Sequence, residues 1–596
     1  MVSFRTTVAL GFLAAALMTG CGPEFYTKQA DRDVYTIVAE KNMKAIGEAP
    51  EFTINPPTLP ALPQQKGEEG QAVREIPSET GASLEIKVPP LGIIPALPEM
   101  LQIPPQMPEE KAIALPSPVP EPSANALRLT TAGALRLAVQ ASRDYQAQKE
   151  AVYEVALTLT YQRYLFTPHP TWTGKANLSN LDGGNADTRL RTWDATSTMG
   201  VSQQLANGAV IAGNLGIAAL KFINREVGDT VGSALNFNVT QPLWRGAGEA
   251  VVQENLIQAE RNALYAVRSF ARYEQTFSVD IASQYLRVLQ NRDIVLNNWR
   301  NYQSLVINRE RADWLAKAER LPEFQVDQAR QDELRAYNNW IVTRQTYVNS
   351  LDSFKITLGI PVITEVVLDP GELGRLSAAG LQHSDAALED ATATGLQKRF
   401  DLMNVRDGVA DADRKIVVAE NGLAGDVDLV ASIGYLSLND NPQSARLAFN
   451  RGNYIIGMTI NMPVDRLQER NALRVTQINR QVAGRQLDLT TSNVILQVRE
   501  ALRQLEQARE SYEIQKRSVA LAERRVESTQ LLLQAGRAEQ RDVLDAQQAL
   551  VDAQNALTNA VVDHSVAGLQ FQRDTGTLVV DEEGQIHGWV LTHSGR

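Results

Sequence analysis

"VDQARQDELRAYNNWIVTRQTYVNSLDSFKITLG" (residues 326–359) can be laid without a gap on "VLDAQQALVDAQNALTNAVVDHSVAGLQFQRDTG" (543–576). Val326 falls on Val543, Ala329 on Ala546, Ala336 on Ala553, Asn338 on Asn555 and Gly359 on Gly576. The offset is constant: 543 − 326 = 217 and 576 − 359 = 217. Upstream, "QPLWRGAGEAVVQENLIQAERNAL" (241–264) parallels "MPVDRLQERNALRVTQINRQVAG" (462–484), each opening with a proline that ends a strand-like run. A long internal duplication in a helical chain is a statement about fold.

Both copies keep one order: a helix (about 131–166, then 386–422), alternating strands, a very long helix, a break and a shorter helix. The second long helix carries Val494, Val498, Ala501, Leu505, Ala508, Tyr512, Gln515, Val519, Ala522 and Val526. Its steps of four and three are the repeat of coiled-coil packing. The first copy does the same from Leu256 to Phe277 before its phase slips near Ile281. A helix over 244–314 would be roughly 100 Å long at 1.5 Å per residue, more than a globular core needs.

Four segments of the first copy alternate apolar and polar residues (171–181, 193–205, 209–222 and 234–243), and two of the second (426–436 and 453–462). Their length and polar turns suit a transmembrane β-barrel, although one chain has too few strands to close a pore. The chain must therefore oligomerise, or the strands belong to a soluble sheet. Gly246 and Gly248 in "RGAGEAV" let the chain swing from strand into helix.

With 596 residues and a formal net charge of −11, the chain lacks the basic balance of a nucleic-acid binder. Arg5 and the apolar run Val8–Leu17 read as a signal segment too short to span a bilayer. "LMTGCG" (17–22) follows and resembles a bacterial lipobox, with Cys21, the chain's single cysteine, as lipidation residue. Gly22 after it favours the outer membrane, by resemblance to enterobacterial lipoproteins. Residues 24–48 read as a short polar, helical segment. Between Pro50 and Pro122 lie 17 of the 26 prolines, which predicts an extended linker. Its apolar residues, such as Leu91 and Ile93, leave open that part of it lies on the folded body.

The lipobox, "TQPLWRG" (240–246), the duplicated order and "LLLQAGRAEQRDVLDAQQALVDAQNAL" (531–557) together resemble the TolC-like outer membrane efflux factors, over about residues 127–576. The resemblance implies a mainly α fold with membrane β. Three subunits would share one outer-membrane β-barrel, continued by a periplasmic α-helical coiled-coil tunnel. It implies a passive conduit for efflux or type I secretion, working as a homotrimer with a periplasmic adaptor and an inner-membrane pump of RND, ABC or MFS type. Outer membrane lipid is the further partner. The domain reading is a signal peptide (1–20), lipidated segment (21–49), Pro-rich linker (50–125), two efflux repeats (126–365 and 366–576) and a C-terminal tail (577–596).

Asp542 and Asp545 stand where the family's "DVLDA" motif places acids at the tunnel entrance, so threefold symmetry would make each a pore ring at the periplasmic gate. Spacing alone puts both carboxylates on one helix face, where like charges repel. The first repeat has Gln325 and Gln328 there, and Ala538, Leu533 and Gln325 stand where relatives carry latch partners. Pro242, Gly246 and Pro463 are the expected strand-to-helix transitions. The hairpin 202–215 is extra to the family's two strands per repeat. If it enters the membrane, the count becomes six strands per subunit and eighteen per trimer; Gly208, Gly213 and Gly216 weaken its lipid-facing side, which favours instead a hairpin that projects from the barrel or lies against its periplasmic end.

No catalytic residues, cofactor or metal site are expected. The five histidines form no close helical pair, no Cys-based zinc site is possible, and neither a P-loop nor a G-x-S-x-G is present. A structural coiled-coil lipoprotein tethering envelope layers, without channel activity, is the alternative reading.

Overall fold

The computed structural model describes residues 23–54, 118–119, 126–181, 190–222, 230–379, 387–437, 446–535 and 537–587. Cys21, Gly536 and nearly all of the Pro-rich linker lie outside them. The first repeat runs β1 (Leu127–Leu129), α2 (Thr131–Ala141), α3 (Arg143–Tyr164), β2 (His169–Leu181), β3 (Leu190–Gln204), β4 (Val210–Phe222) and β5 (Thr230–Pro242). It continues with α4 (Glu249–Val252), α5 (Glu254–Lys317) and α6 (Glu323–Thr357). The second runs β6 (Val366–Leu368), α7 (Gly371–Ala379), α8 (Leu388–Lys398), α9 (Phe400–Asn421), β7 (Asp426–Ser437), β8 (Leu447–Asn461), α10 (Leu467–Gln534) and α11 (Gln540–Asp574). Ahead of both, α1 (Pro23–Ile46) is the expected polar helix.

The first helix of each repeat, read as continuous, is broken at one residue into pieces of 11 and 22 residues, at Ser142 and at Arg399. Each break is met by a glycine of its own repeat. Gly359 (φ +78°) and Gly576 (φ +69°) end α6 and α11 in the left-handed region, with Ile360 N–H donating to Lys355 O and Thr577 N–H to Gln572 O. A Cβ on Gly359 would lie inside the Ala141 carbonyl, and one on Gly576 would stand 3.2 Å from Lys398 Cβ. The same glycine at the same offset is thus a helix stop and a close contact at once. Between the breaks the offset is 399 − 142 = 257, against 217 after the sheet. The difference, 257 − 217 = 40 residues, is the length the first repeat spends on an additional pair of strands.

Those strands are not outside the sheet. β2, β3, β4, β5, β7 and β8 form one antiparallel six-stranded sheet in that order, and β3–β4 pair over their full length from Thr192↔Phe222 to Gln204↔Val210. The expectation that the hairpin projects or lies aside is corrected. Its glycines make room for neighbours: a Cβ on Gly213 would touch the Phe237 ring at 3.1 Å, and one on Gly200 would collide with Asn214. Gly208 (φ +95°) turns the hairpin against the corner, where a Cβ would stand 2.7 Å from Gly246 O.

The heptad seam of α10 is buried as its spacing requires: Val494, Val498, Ala501, Leu505, Ala508, Tyr512 and Ala522 are all inside. It packs with Ala567 and Phe571 of α11 and Ala391 of α8. A larger core gathers Tyr285, Leu286 and Leu289 of α5, Trp340 and Phe354 of α6, Leu569 of α11 and the parallel β1–β6 pair. The C-terminal tail joins it through Leu578 and Ile586, which the sequence did not announce. Among the described residues no helix is long and apolar enough to cross a membrane.

Candidate channel surfaces and gate

The sheet has two chemically different faces. One row crosses all six strands as Trp172, Met199, Leu215, Leu235, Tyr435 and Gly452. The next row, one residue away, reads Thr171, Gly200, Asn214, Asn236, Gly434 and Asn453. Alternation puts these rows on opposite faces. The first face continues with Ile433, Tyr454, Ile456 and Met458, all exposed; the second with Thr173, Thr198 and Ser432, its apolar exceptions including Ile455 and Leu436. Ile456 at 74 % and Met458 at 59 % exposure, beside Ile433 and Tyr454, make the first face the more apolar one, a composition that suits lipid. Among the described residues, neither edge strand, β2 nor β8, has a partner on its outer side.

The corners join this sheet to the helices. At the first, Leu243 N–H donates to Val427 O after Pro242, and Gly246 (φ +73°) donates its N–H to Asn421 Oδ1 at 2.8 Å. Asn421 Nδ2 donates to Trp244 O, so one side chain at the end of α9 holds the turn from both sides. At the second, Pro463 follows β8 and Arg466 donates to Leu423 O at 2.8 Å. Below the corners, Asp411 of α9 accepts from Arg261, Tyr265 and Gln258 of α5 and from Arg414. Burial would raise its carboxyl, but the bonds from Tyr265, Gln258 and Arg414 and the Arg261 charge hold it below the usual range.

At the far ends both hairpins turn alike. Arg320 N–H donates to Leu315 O at 2.9 Å, and Arg537 N–H to Leu532 O at 2.9 Å, the same bond 217 residues on. Glu319 takes the left-handed conformation (φ 58°) where the second repeat has Gly536. Behind the turns, Val326 and Ala329 in one repeat and Val543 and Ala546 in the other are buried.

Asp542 and Asp545 are exposed just past the second turn. Asp542 is the third residue of α11 and closes a capping box, accepting from Glu539 N–H at 3.0 Å while Glu539 accepts in return. Here an acid helps its helix, through the cap and the positive end of the dipole. The repulsion expected from spacing alone is outweighed. Asp545 stands 3.7 Å from Arg541. The acid the sequence reading missed is Asp332 of α6. Its carboxyl is raised by burial and further by the charge of Asp545, against Arg335. Only the apposition of α6 and α11 reveals that pair, so no spacing in the sequence could have found it. Two acids further along α11 have other partners: Asp563 pairs with Arg287 at 2.6 Å, and Asp552 accepts from Gln548. Among the described residues no group of three His, Cys, Asp or Glu could hold a metal.

Residues 393–567 match the family model for outer membrane efflux protein. That span, less than a third of the chain, is similar to the family. No curated protein sequence matches it. Solved structures do, at low identity and over most of their length. The Campylobacter jejuni CmeC outer membrane channel is 12 % identical, with a TM-score of 0.56 over 78 % of this chain and 87 % of that one. The Vibrio cholerae outer membrane protein VceC is 14 % identical, TM-score 0.54, over 75 % and 96 %. The Neisseria gonorrhoeae MtrE outer membrane channel, in its open state, is 13 % identical, TM-score 0.52, over 75 % and 88 %. The chain therefore has the fold of these channels, with long helical hairpins below one sheet.

Proposed function

We propose that three copies of the chain form a passive export conduit through the outer membrane and into the periplasm, the channel component of a tripartite efflux or type I secretion system. The observation that carries this reading is the sheet: six strands, one lipid-compatible face, one polar face and two open edges. An open edge invites pairing, and joining β8 of one copy to β2 of the next closes a barrel of 3 × 6 = 18 strands. A soluble tethering domain would gain nothing from exposing Tyr454, Ile456 and Met458 together.

The helices support the same assembly. Val475, Ile478, Val482, Leu489 and Leu496 form a second apolar stripe on α10 at steps of three, four and seven, and all are exposed. A second copy would cover it as a coiled-coil seam. Cys21 would be acylated two residues before α1, which packs on α3 and α5 through Val34, Ile37 and Val38. Lys41 and Arg163 both pair with Glu260 beside it. A firmly docked α1 would tie the acyl anchor to the tunnel wall. Incorporation of labelled fatty acid, lost in Cys21→Ser, reports the acylation.

The gate would be built from Asp542 and Asp545 of three subunits, with Asp332 behind them. Such rings focus negative potential at a narrow mouth and attract cations. The tunnel end would meet a periplasmic adaptor, and the energy would come from an inner-membrane pump. In planar bilayers the purified trimer should conduct with cation preference and be blocked by divalent ions. Asp542→Asn with Asp545→Asn should weaken both effects while trimers persist. A double variant with unchanged selectivity and block, while still conducting, would reduce the two acids to helix-capping and surface charges.

A further inference from the structure

The two helical hairpins of one chain are joined along α5 and α11, so α5 lies between α6 and α11, and α11 between α5 and α10. The seam that joins them is made of amides. Asn297 Nδ2 donates to Asn555 Oδ1 at 3.0 Å, Asn308 Nδ2 to Gln547 Oε1 at 2.7 Å, and Gln547 Nε2 to Ser304 Oγ at 3.0 Å. Nearer the sheet, Gln290 Nε2 donates to Asn559 Oδ1. Gln290, Asn297, Asn308 and Gln547 are buried, as is Val551, which stands four residues from both Gln547 and Asn555. Gln290, Asn297 and Ser304 step by seven, the spacing of one packed helix face.

The 217-residue offset that relates the hairpins carries α5 onto α10 and α11 onto α6. Gln290 falls on Gln507, Asn297 on Ile514 and Ser304 on Leu521. From the other side of the seam, Asn555 falls on Asn338, Val551 on Leu334 and Asn559 on Val342. The closed seam is covered, but its counterparts are open: Ile514 is 62 % exposed, Leu521 64 %, Leu334 68 % and Val342 56 %. Large apolar side chains in such a row gain by being covered. On α10 the row continues the exposed stripe from Val475 to Leu496, since the eleven residues from Leu496 to Gln507 make about three helical turns. α6 and α10 stand at opposite ends of the row of four helices, so α10 of one copy can meet α6 of the next. β8 leads directly into α10, so the strand edge and the helix side offered to the next copy belong to one part of the chain.

We propose, resting on the threefold assembly inferred above, that α10 of one copy packs on α6 of the next in the register of the internal α5–α11 seam. Ile514 then faces Asn338, Gln507 faces Val342, and Leu334 lies between Ile514 and Leu521. Arg525 and Arg330 take the places of Asn308 and Gln547. Arg330 brings Asp313 at 3.2 Å and Asp327 at 3.5 Å, so acids accompany the two cations. One surface meets a different one, a heterologous contact that makes a ring when its rotation closes. The two seams share a register and differ in chemistry: amide pairs join the hairpins within a chain, and a centre of apolar side chains joins them between chains.

Cysteine cross-linking in the full-length chain tests the register. After oxidation, Ile514→Cys with Asn338→Cys should run on a denaturing, non-reducing gel at twice and three times the mass of one chain, and return to one chain on reduction. Asn297→Cys with Asn555→Cys, the internal equivalent, should cross-link within a chain and stay at its mass. Gln507→Cys with Val342→Cys is the second pair should the first variant fail to fold, and the parent with Cys21 alone sets the background. Differently tagged chains carrying Ile514→Cys and Asn338→Cys separately should link to each other when co-expressed, and neither to itself. Linkage of Ile514→Cys to itself would mean that like helices meet and would overturn the proposal. Absence of thiol-linked bands from both pairs, in chains that an amine cross-linker still captures as trimers, would overturn the register and leave the trimer standing. Capture of single chains only by the amine cross-linker would overturn the threefold assembly as well.

Discussion

The two repeats share a helical scaffold and differ at its two ends. Both break their first helix at one residue and seal the break with Gly359 or Gly576. Both end their long helices with the same bond, at Arg320 and at Arg537. At the sheet the first repeat spends four strands and the second two. At the tip the second presents Asp542 and Asp545 where the first has Gln325 and Gln328, and Glu539 caps where the first has Pro322. What duplication preserved is the packing that makes a hairpin stand. What it released is the width of the sheet and the charge of the helix tip.

The glycine contacts should show the largest asymmetry. Gly359→Ala forces a Cβ into the Ala141 carbonyl at φ +78° and should destabilise by roughly 3 kcal/mol or more. Gly576→Ala meets Lys398 at 3.2 Å and should cost about 1–2 kcal/mol. Thermal unfolding in detergent would compare them, and equal losses would show that the two breaks are sealed differently from what the contacts indicate.

A buried acid separates the repeats next. Glu274 accepts from Tyr145 OH at 2.7 Å, whereas the second repeat has Thr491 and Leu402 at the corresponding places. Burial pushes the Glu274 carboxyl up to about 7, against the Tyr145 bond and the Lys149 charge. An acid whose folded pKa is raised holds its proton longer in the fold, so its contribution to stability falls as pH rises from about 4.5 to 7 and is constant above. Glu274→Gln should therefore stabilise above pH 7, by no more than about 3 kcal/mol, with no gain below pH 4.5. A gain independent of pH would place the effect in packing rather than in charge.

The tip should show the smallest effect. Glu319 holds a left-handed conformation (φ 58°) at the position where the second repeat has a glycine in its sequence, and Glu319→Gly should raise stability by about 0.5–1 kcal/mol. A loss in the same unfolding measurement would mean that the Glu319 side chain has a role the contacts do not display.

Much of this scaffold was legible in the sequence because its signals are periodic and local. The heptads from Val494 to Ala522 became a buried seam, the strands fell within a few residues of their expected limits, and the proline and glycine of "TQPLWRG" became the corner. The misjudged hairpin failed for a physical reason. Gly213 looks weak within one strand, and only the neighbouring strand supplies Phe237 to fill the space above it. The Asp332–Asp545 pair and the docking of α1 were invisible likewise, since each depends on which helices lie side by side. Asp542 was legible as an acid at a bend but not as a cap, because its partner bond depends on where α11 begins.

The most direct test of the conduit concerns the extra hairpin. Added cysteines at Leu215 and at the adjacent Asn214 of β4, each compared with the parent chain whose single cysteine is Cys21, can be probed in outer membranes with a lipid-phase and a water-soluble thiol reagent. A barrel predicts that Leu215→Cys reacts only from the lipid and Asn214→Cys only from water. Water labelling of both positions, with neither reached from the lipid, would put the hairpin outside the membrane and contradict the eighteen-strand barrel.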